Sequence, residues 1–160
     1  MTHLFFIGFH TYFKKVQLNC SIDGFGLTLT PVVQFHNAID LVDLFTYFEE
    51  IWLSGRGKVN IDPIFLNEPA FLSMAVLPEV IRRRAVEKLQ EFALRSEMYK
   101  NNLWAHKGIN GIIQALSAEQ ELDKGIIDAN KRYTNAIDSH RSMYLKDYAP
   151  ELYSMLYELA

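Results

Sequence analysis

Residues 27–66 read LTLTPVVQFHNAIDLVDLFTYFEEIWLSGRGKVNIDPIFL, and the changes of period within this stretch set the fold class. Leu27, Leu29, Val33 and Phe35 fall on one face of an extended segment, which predicts a strand over Leu27–Phe35. Pro31 removes one ladder donor and places that strand at an edge or at a bulge. Beyond it the period lengthens. Ile39, Leu41, Val42, Leu44, Phe45, Phe48, Ile51 and Trp52 make a wide apolar stripe, so a helix is expected to about Leu53. Asn37 reads as its N-cap, with Asp40 facing the free N–H groups of the first turn. Ser54-Gly55-Arg56-Gly57 ends the helix. Val59–Leu66 reads as a third strand or extended segment, with Pro63 again arguing for an edge. Phe45, Tyr47, Phe48 and Trp52 recur at helical spacing, which favours core packing over a binding surface.

Upstream, Val16, Leu18, Cys20 and Ile22 alternate with Gln17, Asn19, Ser21 and Asp23, the pattern of a half-buried strand over Lys15–Asp23. Leu4–Phe9 is a weaker strand candidate. Only the turn Asp23-Gly24-Phe25-Gly26 separates the two stronger strands. Parallel neighbours need a crossover of about a dozen residues, so these two should form an antiparallel hairpin or lie apart. From residue 67 the pattern is helical: a short helix over Pro69–Ala75, a long one over Glu79–Ser96 opened by Pro78, a loop at Asn101-Asn102, then Ile109–Leu116, Glu119–Tyr144 and a terminal helix from Pro150. In the long helix Leu122, Ile126, Ile127, Tyr133 and Ile137 are expected to face inward. The fold class is α/β shading to α+β, with two or three strands and five or six helices. Residues 1–66 carry the strands and first helix, residues 67–160 the helical region, in one compact unit.

The 160 residues suffice for one domain with a real core, and 49 % apolar with 22 % charged residues is ordinary globular usage. A net charge of -3 argues against a nucleic-acid partner. The only basic cluster, Arg82-Arg83-Arg84, lies beside Glu79 and Glu87 and reads as a solvated helix face. Asp138 and Arg141 stand at i, i+3 and read as an ion pair. The five histidines, 3, 10, 36, 106 and 140, form no metal-binding spacing. Gly24-Phe25-Gly26 is too short for a nucleotide fingerprint. Cys20 is the single cysteine, so no disulfide forms within the chain, and mid-strand on the apolar face it reads as a buried structural thiol. No apolar run approaches the ~20 residues that span a bilayer, the start carries no signal-peptide pattern, and a cytoplasmic location is expected.

Several stretches resemble one family in order. Val16-Gln17-Leu18-Asn19-Cys20-Ser21-Ile22-Asp23-Gly24 resembles a strand midway through the radical S-adenosylmethionine barrel. Leu29-Thr30-Pro31-Val32-Val33-Gln34-Phe35-His36-Asn37 is similar to the next barrel strand, and Asn37 through Phe48 to the helix after it. Pro69-Ala70-Phe71-Leu72-Ser73-Met74-Ala75-Val76-Leu77-Pro78 resembles the element before the C-terminal helices of the twitch-type members. Tyr133, Ile137-Asp138-Ser139-His140-Arg141 and Ala149-Pro150-Glu151-Leu152 resemble their ending. The likeness implies a partial barrel followed by helices, and a complete relative that cleaves S-adenosylmethionine reductively to modify a peptide or small molecule. It implies that Ser21 matches a strand-end serine near the S-adenosylmethionine carboxylate and Asn37 a polar position near the same ligand; the residues themselves favour the N-cap role for Asn37.

The departures are as informative. The family's three cysteines, spaced C-x-x-x-C-x-x-C, are missing from these 160 residues, and one thiolate cannot anchor a [4Fe–4S] cluster that takes three. The first barrel strands have no counterpart either. A truncated relative, inactive alone and holding neither cofactor, is the expectation. The second reading is a non-enzymatic helical interaction module. Unpaired sheet edges predict a homo-oligomer or a protein partner.

Overall fold

A computed structural model of the chain describes residues 26–55, 58–119, 124–142 and 144–157. The expected strand over Lys15–Asp23, its hairpin with the next strand, Cys20 and Ser21 lie outside the described residues.

The central unit is strand, helix, strand. The first strand runs as β1 (Gly26–Leu29) and β2 (Val32–Val33), and the second as β3 (Lys58–Ile61) and β4 (Ile64–Phe65). They pair in parallel, with Leu29 opposite Ile61 and Val32 opposite Ile64. The pairing is one ladder. The N–H groups of Asp62, Ile64 and Leu66 donate in turn to the carbonyls of Leu29, Pro31 and Val33, at 2.9, 2.9 and 3.0 Å. Pro31 accepts from Ile64 but has no N–H to return, which is why the strand divides there. Pro63 falls between two residues that donate across the ladder, so its missing N–H lies on the outer side, where a proline is tolerated. Crossover between the strands is made by α1 (Leu41–Leu53).

Six helices follow among the described residues: α2 (Glu79–Arg95), α3 (Glu97–Asn101), α4 (Leu103–Ser117), α5 (Lys124–Arg141), α6 (Leu145–Tyr148) and α7 (Pro150–Tyr157). The stretch expected as a short helix over Pro69–Ala75 is instead two single 3₁₀ turns, Ala70–Leu72 and Met74–Val76. Of Asn101 and Asn102, expected as a loop, Asn101 is the last residue of α3 and only Asn102 divides α3 from α4; Asn102 caps α4 by accepting from the N–H groups of Trp104 and Ala105 at 3.0 and 3.2 Å. Its amide also donates to the Val59 carbonyl, tying the start of α4 to the edge of β3.

One face of the sheet is buried. Leu29, Val33, Phe35, Val59 and Ile61 meet Phe45, Phe48, Ala105, Ile109 and Ile112 in a single core that continues through Ile81, Ala85, Leu89 and Phe92 of α2 to Leu152 and Leu156 of α7. The aromatic stripe of α1 packs as its spacing predicts: Phe45 and Phe48 are fully buried, and Phe45 lies 6.2 Å from the Phe92 ring, centroid to centroid. The other face is different. Thr28, Thr30, Val32, Asp62 and Ile64 are exposed and Asn60 half-buried.

Asn37 is not the N-cap of α1. Its side chain turns back onto the strand it follows, accepting from the Gln34 N–H at 3.0 Å and donating to the Val32 carbonyl at 2.8 Å. The chain then winds through successive three-residue steps, Asn37 to Gln34 and Asp40 to Asn37, before the helix begins. Asp40 is the capping residue, and its carboxyl makes no capping bond. It lies 3.9 Å from the Lys88 ammonium of α2. Burial nonetheless raises its pKa from 3.8 to about 6, against the pull of Lys88 and with help from Asp43 and Glu151. A carboxyl with a raised folded pKa stabilises the fold below pH 3.8 and loses that contribution as pH climbs through 6. Asp40→Asn should therefore be more stable than the parent at pH 7 by about 1 kcal/mol, discounted for the water that still reaches the side chain. Urea midpoints should converge near pH 4. An unchanged or lower midpoint at pH 7 would mean that the Lys88 contact outweighs burial.

Candidate functional site

The carboxyl ends of the strands meet a buried polar cluster. Phe35 continues β2 by donating its N–H to the Leu72 carbonyl at 2.8 Å, and this fixes His36 beside the 3₁₀ turns. Across from it stands α5, with Asn130, Thr134 and Asp138 at i, i+4 and i+8 on one face, 1 %, 2 % and 6 % exposed. His36 Nε2 lies 2.8 Å from Thr134 Oγ1. Thr134 Oγ1 is 3.5 Å from Asn130 Oδ1, and Asn130 Nδ2 donates to the Phe71 carbonyl at 2.6 Å. Asp138 Oδ2 accepts from the Leu145 N–H at 2.6 Å and so joins α5 to α6. Tyr133 rests its ring on Phe71, 5.1 Å between centroids.

This inward face corrects the expectation for the long helix. Tyr133 is 39 % exposed, Ile126, Ile127 and Ile137 are half-buried, and Leu122 lies outside the described residues. Polar side chains can occupy the inner stripe because each finds a partner there. Asp138 accepts from the Leu145 N–H; the side chain of Arg141, its expected ion-pair partner, lies outside the described residues.

Burial lowers the His36 pKa below its ordinary 6.5, and the Asp138 charge only partly offsets it, so the imidazole is neutral at pH 7. Burial, with Tyr153 and the Asp138 charge, pushes the Tyr157 phenol up. A neutral histidine beside a hydroxyl has the form of a base and nucleophile. Here the hydroxyl is sealed from solvent, and the pair joins the helix to the strand end.

Of the two candidate ligand contacts, Ser21 lies outside the described residues. Asn37 sits at the carboxyl end of β2, and both ends of its amide are engaged by its own strand. Among the described residues no group of three His, Cys, Asp or Glu side chains stands close enough to hold a metal ion. His106 stacks on Tyr99, 4.5 Å between ring centroids. No helix among the described residues is long and apolar enough to cross a membrane.

The basic run departs from the solvated face expected of it. Arg83 pairs with Glu79 at 2.5 Å and Arg84 with Glu151 at 2.7 Å, but Arg82 is 8 % exposed. Its Nη1 donates to the carbonyls of Leu116 and Ala118, closing the carbonyl end of α4. Beside it a cleft of about 820 Å³ is lined by Glu79, Arg82, Arg83 and Glu119, two charges of each sign. The Arg82 Nε is buried and has no hydrogen-bond partner among the described residues.

No protein-family model matches this chain, and neither the curated proteins nor the solved structures contain a significant match to it.

Proposed function

We propose that these 160 residues are later strand–helix units and the helical end of a radical S-adenosylmethionine type protein, and that they do not carry its redox centre. What supports the reading is the open second face of the parallel unit. Parallel sheets are almost always covered on both faces. In a closed barrel the helices cover the outside, while side chains of the other strands fill the inside. Here the helices lie on one face, and Thr28, Thr30, Val32, Asp62 and Ile64 are left exposed on the other, as the inner face of an unclosed barrel would be. The ordered motifs over residues 15–155 add the family, and one cysteine against three required thiolates adds the missing cluster. Ser21 and Asn37 are the proposed contacts to S-adenosylmethionine in a complete barrel. A cytoplasmic location goes with oxygen-sensitive chemistry of this kind.

A second reading, a non-enzymatic interaction module, draws on the apolar side chains that the helical half leaves exposed: Leu94 at 79 %, Leu103 at 62 % and Trp104 at 58 %. The coding DNA on the 5′ side separates the two. The barrel reading predicts an in-frame C-x-x-x-C-x-x-C there or in an adjacent gene. A promoter and start codon immediately upstream, with no such motif nearby, would favour the module.

A further inference from the structure

We propose that α5 is a lid across the carboxyl ends of the strands, and that it lifts as a unit while the sheet, α1, α2 and α4 stay folded. The helix is attached differently from its neighbours. α2 buries Ile81, Ala85, Leu89 and Phe92, and α4 buries Ala105, Ile109, Ile112 and Leu116. On α5 the deeply buried side chains, among those described, are Asn130, Thr134 and Asp138, and no α5 residue belongs to the fully buried apolar core. Among the described residues its closing contacts are mainly polar: the bonds to His36, to the Phe71 carbonyl and to the Leu145 N–H, the Tyr133 ring on Phe71, and the Lys131 ammonium 5.1 Å from the Tyr157 ring, with half-buried Ile126 packed against the edge of the core.

Such contacts hold less firmly than apolar burial. When α5 lifts, water takes the place of each lost hydrogen-bond partner, whereas exposing an apolar helix face returns nothing comparable. Segments attached with few buried apolar contacts open at free energies below that of global unfolding. Lifting would uncover His36 at the strand ends, the place where open α/β sheets gather ligands, and Asn130, Thr134 and Asp138 on the underside of the raised helix. The Thr134 hydroxyl, sealed when the lid is down, and the half-buried imidazole beside it become fully reachable when it is up.

Hydrogen exchange of the full chain, followed by mass spectrometry at rising sub-denaturing urea, tests this. Amides of residues 128–140 should exchange at least roughly tenfold faster than those of α2 and α4, with a shallower dependence on urea. Asn130→Ala should speed exchange in α5 by about tenfold and leave α2 and α4 unchanged. Equal rates and equal urea slopes in all three helices would overturn the lid. So would an Asn130→Ala variant that speeds exchange everywhere alike, or that fails to fold, because the α5 contacts would then belong to the global unit.

Discussion

Gly108→Ala is expected to destabilise the protein by about 2 kcal/mol, while Gly111→Ala, one helical turn along on the same helix, is expected to stabilise it by about 0.5–1 kcal/mol. Intrinsic helix propensity favours alanine over glycine at both positions by about 1 kcal/mol. The surroundings decide the difference. A Cβ on Gly108 would stand 2.5 Å from the Ile61 carbonyl oxygen and 2.9 Å from the Ile61 Cγ2, whereas a Cβ on Gly111 meets nothing within 4 Å. The obstruction at Gly108 is backbone, held in the parallel ladder by neighbouring bonds, and cannot swing aside as a side chain tip could. α4 must move off the sheet, and an overpacked core costs about 1–3 kcal/mol beyond the propensity gained. Urea denaturation of the two single variants measures both signs. Stabilisation by both substitutions would show that α4 does not approach β3 this closely.

Phe45→Ala is expected to cost about 4 kcal/mol, the largest effect of any single substitution considered. Phe45 is fully buried between the sheet and α2, and its ring packs against Phe92. Truncation loses the transfer free energy of the ring and leaves a cavity that α1 cannot close. The strand on either side of the crossover holds α1 in place, and Phe48 and Ile51 fix its remaining face. Total stabilities of domains this size are about 5–15 kcal/mol, so the variant should be partly unfolded at room temperature in mild urea. A loss below about 1 kcal/mol would mean that Phe45 is not in the core.

The stripe that contains Phe45 was legible because eight apolar residues at a 3.6-residue period admit one arrangement. The strands flanking α1 were legible for the same kind of reason, yet their partner was not. An alternating pattern says which side chains share a face and nothing about which strand lies alongside, so the parallel pairing of Leu29 with Ile61 emerged only in three dimensions. Asn37 shows a second limit. An asparagine between strand and helix can cap forward or bond back, and the choice depends on where the Val32 carbonyl and Gln34 N–H lie. Arg82 looks like its two neighbours in sequence and is buried because the end of α4, 34 positions away, needs a donor. The site itself was hidden by the habit of reading apolar residues as inward. Asn130, Thr134 and Asp138 at four-residue spacing were the available signal: three hydrogen-bonding side chains on one face of a long helix, whose partners come from His36, Phe71 and Leu145.

One cysteine supplies one thiolate to a cluster that takes three. Purified chain, reconstituted with iron and sulfide under strict exclusion of oxygen and supplied with S-adenosylmethionine and a reductant, tests this directly. Substoichiometric iron and no 5′-deoxyadenosine are predicted. One [4Fe–4S] cluster per chain with 5′-deoxyadenosine accumulating, and no other protein present, would contradict the account.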